Sequence, residues 1–251
     1  MSIEIVTISE RPALKERLAE LDLAAWPKFM MQDPVEQKYW DRLLDTFAEL
    51  QVAICDQGGK AIAAGYMVPI FWDETIEGLP LGWDDALERG VCEYDPNNLP
   101  NTISALSVVV HPQYRGKGLS KLVIGHMRAL AEEGRFENII VPVRPSQKSY
   151  YPLIPIERYV LWRQSGDWPF DPWLRTHAKL GAKFLKIARK SMTVPGTVAE
   201  WEEWAGCPEE CQSTRLNPPF SFFFAYEYSQ GRLRKALYHG LRLSRSHAPV
   251  V

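Results

Sequence analysis

The chain has 251 residues, of which 46% are hydrophobic and 24% are charged, and its formal net charge at pH 7 is −2. These values are typical of one large globular domain or two small ones. The near-neutral charge argues against a general nucleic-acid-binding protein, and no apolar run reaches the roughly 18 residues of a membrane-spanning helix. We therefore expect neither a nucleic-acid partner nor a membrane partner.

The start of the chain and its cysteines indicate a cytoplasmic protein without a metal. Met1–Val6 lacks the basic and apolar regions of a secretory signal. Cys55, Cys92, Cys207 and Cys211 do not have the paired spacing of a zinc site. The last two could form a disulfide or hold a metal, but surface thiols are the expected state in a cytoplasmic protein. We predict no metal site.

Hydrophobic periodicity predicts the order β-α-α-β-β over the first 70 residues. The first strand spans Ile3–Ile8, and a helix follows with Ser9 as its candidate N-cap. A second helix is predicted over Asp33–Leu50, since an aspartate followed by proline is a typical helix start. The apolar runs on either side of Asp56–Lys60 form a hairpin, because this segment contains a glycine pair.

The rest of the chain begins with an insertion, residues 71–100, which is rich in acids, tryptophan and proline and contains one helical segment. A β-α-β unit follows it. Arg144–Phe170 is then long and irregular, which is typical of a functional loop. The later predicted elements are a helix over Asp171–Leu180, strands over Ala182–Ile187 and Ser191–Val194, a helix over Thr197–Trp204 and a final strand over Phe220–Tyr228.

The most informative segment is the loop between the strand and the helix of this β-α-β unit. Gly116 and Gly118 lie where the apolar strand ends and the helix begins, and Arg115 and Lys117 add positive charge. Backbone N–H groups and the helix dipole at such a junction suit a phosphate group. The nucleotide P-loop pattern is absent, and Lys121 occupies the third glycine position of the dinucleotide-binding pattern. The alternative is a plain strand-to-helix turn.

Gln113–Gly118 resembles the acetyl-CoA signature of the GNAT superfamily, Q/R-x-x-G-x-G/A. Further phrases, including Tyr151–Tyr159 and Phe170–Arg175, are similar to a branch of bacterial acetyltransferases and to GNAT-like loading domains of polyketide synthases. The resemblance covers roughly residues 1–206 and implies an α/β (α+β) GNAT fold. That fold has a mixed, mostly antiparallel sheet that splays between two adjacent parallel strands, with helices on both faces. Residues 207–251 would add a final strand and a basic extension to the same domain.

The resemblance implies transfer of an acetyl group from acetyl-CoA to a small amine or thiol acceptor by direct attack on the thioester. Some GNAT-like loading domains instead decarboxylate malonyl- or methylmalonyl-CoA and pass the acyl group to a carrier-protein thiol. A non-catalytic acyl-CoA-binding module is the third alternative. The expected co-substrate is acetyl-CoA or another acyl-CoA, and the expected partners are a small-molecule acceptor or an acyl carrier protein. The chain would be a monomer or a homodimer.

The CoA-binding residues that the resemblance implies lie on the core strand, in the glycine loop and at the start of the helix. They are Val108, Val109, Val110, Gln113, Tyr114, Arg115, Gly116, Lys117, Gly118, Leu119 and Ser120. Glycines allow the backbone to approach the phosphates closely. Backbone N–H groups of the core strand would stabilise the thioester oxygen.

The catalytic residues are harder to predict, because the core strand lacks the glutamate that many GNAT enzymes use as a base. The candidates are Tyr151 and Tyr150, which follow the next strand, and Ser107 on the core strand. Trp26, Arg144 and Arg158 are the candidate substrate-binding residues. The two arginines would suit an acidic acyl group, the CoA 3′-phosphate or a carrier protein, with a solvated basic face as the alternative.

Overall fold

The computed structural model describes residues 2–93 and 99–205 and the backbone of 223–229. Within these residues the predicted order of elements, β-α-α-β-β followed by β-α-β, is confirmed. The strands are β1 (Ile3–Thr7), β2 (Val52–Asp56), β3 (Ala61–Ile70), β4 (Thr102–Val110), β5 (Asn138–Val143), β6 (Lys183–Ala188) and β7 (Phe223–Ser229). The helices are α1 (Leu14–Ala25), α2 (Pro34–Thr46), α3 (Trp83–Cys92), α4 (Leu119–Glu133), α5 (Ile156–Tyr159), α6 (Pro172–Lys179) and α7 (Val198–Ala205).

The strands form one mixed sheet in the order β1-β2-β3-β4-β5-β7-β6. All neighbouring strands are antiparallel except β4 and β5, which are parallel. This is the predicted GNAT arrangement. The central strand β3 is buried along its whole length, because helices cover both faces of the sheet. Tyr66 reaches α1 on one face, whereas a side chain at Gly65 would meet Val123 and Met127 of α4 on the other.

β4 and β5 separate after a short paired region. Thr102–Ser104 pairs with Asn138–Ile140, and no pairing between the two strands follows in the described residues. Both strands continue, so within the described part of the chain their facing edges have no strand partner. The cleft that the GNAT fold requires lies at this point.

A register shift in the β3–β4 pairing lies beside the point of separation. Tyr66 pairs with Ser107, but Met67 pairs with Ala105. Leu106 is therefore an extra residue on β4, as in a β-bulge, and a bulge bends its strand and disrupts the hydrogen-bond ladder. Bulges of this kind are common next to active sites, where they redirect a side chain.

The two predicted N-terminal helices form with small corrections. Ser9 does not cap α1, which begins at Leu14 without a side-chain cap. The Ser9 hydroxyl lies instead 3.0 Å from the hydroxyl of Thr7. The prediction for α2 is correct at its start, since Asp33 accepts hydrogen bonds from two backbone N–H groups of the first turn. The helix ends at Thr46 rather than at residue 50, and a 3₁₀ turn follows.

The prediction of a strand over Ser191–Val194 is wrong, because this segment bonds to a helix rather than to the sheet. The backbone N–H of Trp83 donates to the Ser191 hydroxyl at 2.7 Å, and the N–H of Asp84 donates to the Ser191 carbonyl at 2.9 Å. The Asp84 carboxylate accepts in return from the N–H of Thr193. The segment thus satisfies the first donors of α3.

Asp171 joins three segments around the irregular loop and is 1% exposed. As predicted, its carboxylate caps α6, accepting from the N–H groups of Trp173 and Leu174. It also accepts from the N–H groups of Ser146 and Gln147, and from the hydroxyl of Tyr159 at 2.9 Å. One buried carboxylate therefore fixes the loop that follows β5.

We predict that Asp171→Ala lowers the free energy of unfolding by about 2–3 kcal/mol, because it removes a helix cap and leaves buried donors unpaired. Urea denaturation of the whole chain measures this change. Asp41→Ala, at an exposed position on α2, is the control and should change it by less than about 0.5 kcal/mol. Equal changes in the two variants would contradict the role given to Asp171.

Candidate active site

A cavity of about 1050 Å³ opens where β4 and β5 separate. Its walls come from both strands, from the first turns of α4 and from the loop after β5. The volume is at the upper end of the range for ligand pockets, and a cleft that is mostly apolar with a few polar groups is typical of them. Of the predicted CoA-binding residues, Val108, Val109, Val110, Arg115 and Ser120 line this cavity.

The glycine loop has the backbone conformation that an anion site requires. Gly116 and Gly118 have φ angles of +77° and +79°, a region that side chains disfavour. Apart from the adjoining residues, no heavy atom of the described part of the chain lies within 4 Å of the position that a Cβ would take at either glycine. Between Gly116 and Ser120 the backbone N–H groups have no backbone acceptor in the described part of the chain. These donors lie at the positive end of a 15-residue helix.

Two cations flank the loop. Arg115 lines the cavity and lies within 3.5 Å of the backbone carbonyls of Val110 and Ala25. The ammonium of Lys117 lies 4.8 Å from the centre of the Tyr114 ring. Neither cation forms an ion pair with a carboxylate of the described residues. Both charges therefore remain available to a phosphate group.

The β4 edge presents backbone groups to the cavity. Beyond Ser104 this edge has no strand partner among the described residues, so alternate N–H and C=O groups along Leu106–Val110 face the opening. The carbonyl of Leu106 is already engaged, because the indole N–H of Trp83 donates to it at 2.9 Å. The remaining groups can pair with an extended ligand, as a peptide pairs in strand addition.

Ser107 lies at the junction of two cavities. It lines the large cavity and also a smaller one of about 60 Å³. Its hydroxyl is buried and has no hydrogen-bond partner among the described residues. The hydroxyl of Ser104 is likewise buried and unpartnered there, but Ser104 lines neither cavity. The structure thus brings the predicted Ser107 to the site.

Sequence reasoning missed several residues of the smaller cavity, among them Asp22 on α1 and Glu36 and Trp40 on α2. Helical spacing indicates that the two acids lie on the same helix faces as buried apolar residues. Asp22 lies four residues after the buried Leu18, and Glu36 lies three residues before the buried Tyr39. Spacing places these acids on the buried faces of their helices, but it does not bring the two helices together.

Both acids have carboxyl groups with pKa values raised to about 7. Burial is the main cause for Asp22, opposed by the hydroxyl of Tyr66, which donates to its Oδ2 at 2.7 Å. Burial is also the main cause of the raised pKa of Glu36, and repulsion from Asp33 and Asp41 adds to it. Carboxyl groups that titrate near neutral pH can take up a proton from a substrate.

Arg144 and Trp26, two of the predicted substrate-binding residues, line both cavities. Arg144 is half-buried, and its burial lowers the pKa of the guanidinium. Its Nη1 lies 2.7 Å from the sulfur of Met30, and the group lies 5.6 Å from the centre of the Phe29 ring. No carboxylate of the described residues pairs with it. A buried cation without an acid suits an anionic group of a ligand.

The structure does not bring three other predicted residues to either cavity. Tyr150 is 76% exposed. Tyr151 packs among aromatic rings, with its centroid 4.9 Å from that of Trp162. Arg158 is exposed. None of the three lines a cavity, so the geometry gives no support to Tyr150 or Tyr151 as a proton donor, or to Arg158 as a substrate ligand.

The described residues contain no cluster of three or more His, Cys, Asp or Glu side chains that could hold a metal ion. None of the helices described is long and apolar enough to cross a bilayer. Cys55 and Cys92 are free thiols. The other two cysteines, Cys207 and Cys211, lie outside the described residues, as does the basic tail.

We predict that Gly118→Asp weakens acetyl-CoA binding by at least about tenfold, because the new carboxylate would repel the pyrophosphate and a side chain would strain the positive φ. Isothermal titration measures the affinity. Gly125→Asp adds the same charge at an exposed position of α4 and should change the affinity by less than about threefold. The anion site would be misplaced if Gly118→Asp bound acetyl-CoA as tightly as the unaltered chain.

No family model matches the chain. It is similar to a curated protein, the arginine N-acetyltransferase avaD of Aspergillus versicolor, with 35% identity over 220 residues. The aligned region covers 80% of this chain and 75% of the relative. Identity at this level, over most of both chains, is sufficient to establish a common family.

Solved structures agree on the fold. The loading GNAT-like domain of CurA from Lyngbya majuscula has a TM-score of 0.66 at 15% identity, covering 91% of this chain and 98% of that domain. The GphF GNAT-like decarboxylase, solved with isobutyryl-CoA, has a TM-score of 0.60 at 18% identity. The match covers 91% of this chain and 99% of the decarboxylase chain. Together with the fold, the glycine loop and the curated relative, these findings identify the chain as a member of the GNAT superfamily, an acyl-CoA-dependent N-acetyltransferase.

Proposed function

We propose that the chain transfers an acetyl group from acetyl-CoA to a nitrogen of a small cationic amino acid, with arginine as the expected acceptor. The observation that carries the proposal is the large cavity, which extends from the glycine loop to Ser107. The choice of acceptor rests on the name of the curated relative, an arginine N-acetyltransferase that is 35% identical.

In this proposal acetyl-CoA lies along the edge of β4. The N–H groups of Gly116–Ser120 hold the pyrophosphate, and Arg115 and Lys117 contribute their charges. The pantetheine arm pairs with the free backbone groups of β4 beyond Ser104. Its thioester then lies near Ser107, where the two cavities meet.

The reaction is a direct transfer. The acceptor nitrogen attacks the thioester carbon and gives up one N–H proton to a base, the C–N bond forms, and the C–S bond breaks with its electron pair going to the CoA sulfur, which takes up a proton from solvent. Backbone N–H groups of β4 stabilise the oxyanion. The buried hydroxyl of Ser107, which has no partner in the described residues, donates to the thioester as negative charge develops.

Incubation of the purified chain with acetyl-CoA and arginine tests the function. Mass spectrometry should detect N-acetylarginine, and a thiol reagent should detect free CoA in equal amount. A parallel mixture with malonyl-CoA and no acceptor tests the decarboxylase alternative, which predicts acetyl-CoA and carbon dioxide. Acetyl-CoA formation from malonyl-CoA without any acetylarginine from the first mixture would contradict the proposal.

We predict that Ser107→Ala lowers kcat by about tenfold, because the thioester loses one hydrogen-bond donor worth roughly 1.4 kcal/mol in the transition state. Steady-state kinetics with saturating acetyl-CoA provide the measurement. Ser104→Ala removes an equally buried and unpartnered hydroxyl from the same strand, but outside both cavities, and should leave kcat unchanged. A similar kcat in both variants would remove Ser107 from the reaction.

We predict that Arg144→Gln raises the KM for arginine by about tenfold, because the guanidinium would no longer bind the α-carboxylate of the acceptor. Agmatine, which lacks this carboxylate, should show a much smaller change in KM. The measured quantity is the ratio of the KM for arginine to the KM for agmatine, in the unaltered chain and in the variant. Arg42→Gln, at an exposed position on α2, should leave both values unchanged, and equal changes for arginine and agmatine would contradict the assignment.

A further inference from the structure

The smaller cavity adjoins the acyl end of the large one. Four residues, Trp26, Leu106, Ser107 and Arg144, line both cavities. One of them, Leu106, is the extra residue of the β4 bulge, and Ser107 follows it. A group held in the smaller cavity would therefore lie next to the point where the thioester is expected.

A buried carboxylate of this cavity has one oxygen without a donor. Asp22 is only 5% exposed, and it lines the cavity. Its Oδ2 accepts from the hydroxyl of Tyr66, but its Oδ1 is buried without a hydrogen-bond partner in the described residues. An unpaired buried carboxylate oxygen is costly. This oxygen therefore indicates a ligand that carries N–H donors.

Flat aromatic rings complete the wall. Trp40 and Trp83 are stacked, with centroids 6.1 Å apart and an interplanar angle of 25°. The Trp40 centroid lies 4.8 Å from that of Tyr66, the residue that donates to Asp22. Indole faces attract cations, and planar guanidinium groups also stack on them. Carboxylates beside indole rings are therefore a suitable environment for a cationic head group.

The volume limits what the cavity can hold. At about 60 Å³, it has room for roughly four water molecules by the usual measure of one probe volume each. That space suits an ammonium or guanidinium head group and excludes a whole amino acid. The remainder of an acceptor would extend toward Arg144, which lines both cavities.

We infer that the smaller cavity binds the cationic head group of the acceptor through Asp22 and Glu36, with the stacked tryptophans as its walls, and that Glu36 takes up the proton that this head group loses. The inference rests on the proposed function, because it assigns the acceptor subsite of the same reaction. It also explains how a core strand without a glutamate serves an N-acetyltransferase: the base comes from α2.

The acceptor nitrogen loses one proton in the reaction, and the CoA sulfur gains one. As the nitrogen attacks the thioester carbon, one N–H proton of the head group passes to the carboxylate of Glu36, the C–N bond forms, and the C–S bond breaks with its electron pair going to the CoA sulfur. The CoA thiolate leaves and takes a proton from solvent. Glu36 is half-buried, so it can return its proton to water. Asp22 is nearly fully buried and acts as a ligand of the cation.

The charges around Glu36 come from several elements. Asp33 precedes α2, Asp41 lies on it, and both carboxylates repel the ionised form. Asp22 on α1 and Arg144 after β5 line the same cavity with opposite charges. Burial and the two acids raise the pKa of Glu36 to about 7. The deprotonated form is the base, so kcat/KM, which reports the free protein, should rise as the pH increases through about 7.

Binding tests the subsite independently of turnover. Protein saturated with CoA is titrated with arginine and with citrulline, which has the same shape but a neutral head group, and tryptophan fluorescence and calorimetry report binding. We expect arginine to bind at least about tenfold more tightly than citrulline. Glu36→Gln and Asp22→Asn should each weaken arginine binding by about tenfold and leave citrulline unchanged. Equal affinities of the unaltered protein for the two probes, or no binding of either, would overturn the inference.

Kinetics test the base. Glu36→Gln should lower kcat by about 100-fold and reduce the rise of kcat/KM through about pH 7 to the part that comes from Asp22. Glu16→Gln, at an exposed position on α1, is the matched control and should retain both kcat and the pH profile. Affinity for acetyl-CoA within about twofold of the unaltered chain shows that each variant is folded. A Glu36→Gln variant that retains kcat would overturn the role of Glu36.

The two proposals fail in different ways. The proposed function fails if no acetylarginine forms, even where arginine binds in the smaller cavity. The acceptor subsite fails if acetylarginine forms while Glu36→Gln and Asp22→Asn bind arginine normally. Arginine binding tests the acceptor subsite, and formation of acetylarginine tests the proposed function. Because both are measured on the same CoA-binding protein, a failure of one proposal is distinguished from a failure of the other.

Discussion

The loss of pairing between β4 and β5 after Ser104 is the constraint on which the site depends. If β4 and β5 were paired along their whole length, the sheet would have no opening and no free backbone donors between these two strands. Here the bulge at Leu106 bends β4, and the two strands diverge around a cavity of about 1050 Å³. Ser107, which follows the bulge, lines both the large cavity and the smaller one, so this irregularity of the sheet lies where the two cavities meet.

Buried polar groups hold this irregular region in place. The indole of Trp83 bonds the Leu106 carbonyl, and the Ser191 segment fixes the first turn of the helix that carries Trp83. On the other edge of β3, the amide of Gln51 bonds both the N–H and the C=O of Met67, at 3.0 and 2.9 Å. Asp171 fixes the loop after β5. These bonds satisfy backbone groups that no strand partner reaches.

The sequence predicts the fold well because the signals for its elements are local, and an equally local motif is the basis for proposing a phosphate site at the glycine loop. Periodicity defines the strands, and the glycine loop is a contiguous motif whose conformation follows from Gly116 and Gly118. The acceptor side depends on contact between helices that are distant in sequence. Asp22 and Glu36 are ordinary acids on amphipathic helices until folding buries them in one cavity. Tyr151 is the opposite case. Its position after β5 predicts a catalytic role, but in the structure its ring packs among other aromatic rings.

A crystal structure of the chain with CoA and arginine tests the central claim most directly. We expect the pyrophosphate to lie against the backbone N–H groups of Gly116–Ser120, the CoA sulfur near Ser107, and the cationic head group of arginine between Asp22 and Glu36. The α-carboxylate of arginine should then lie on Arg144. Arginine bound outside the smaller cavity, with its head group away from both acids, would contradict the account.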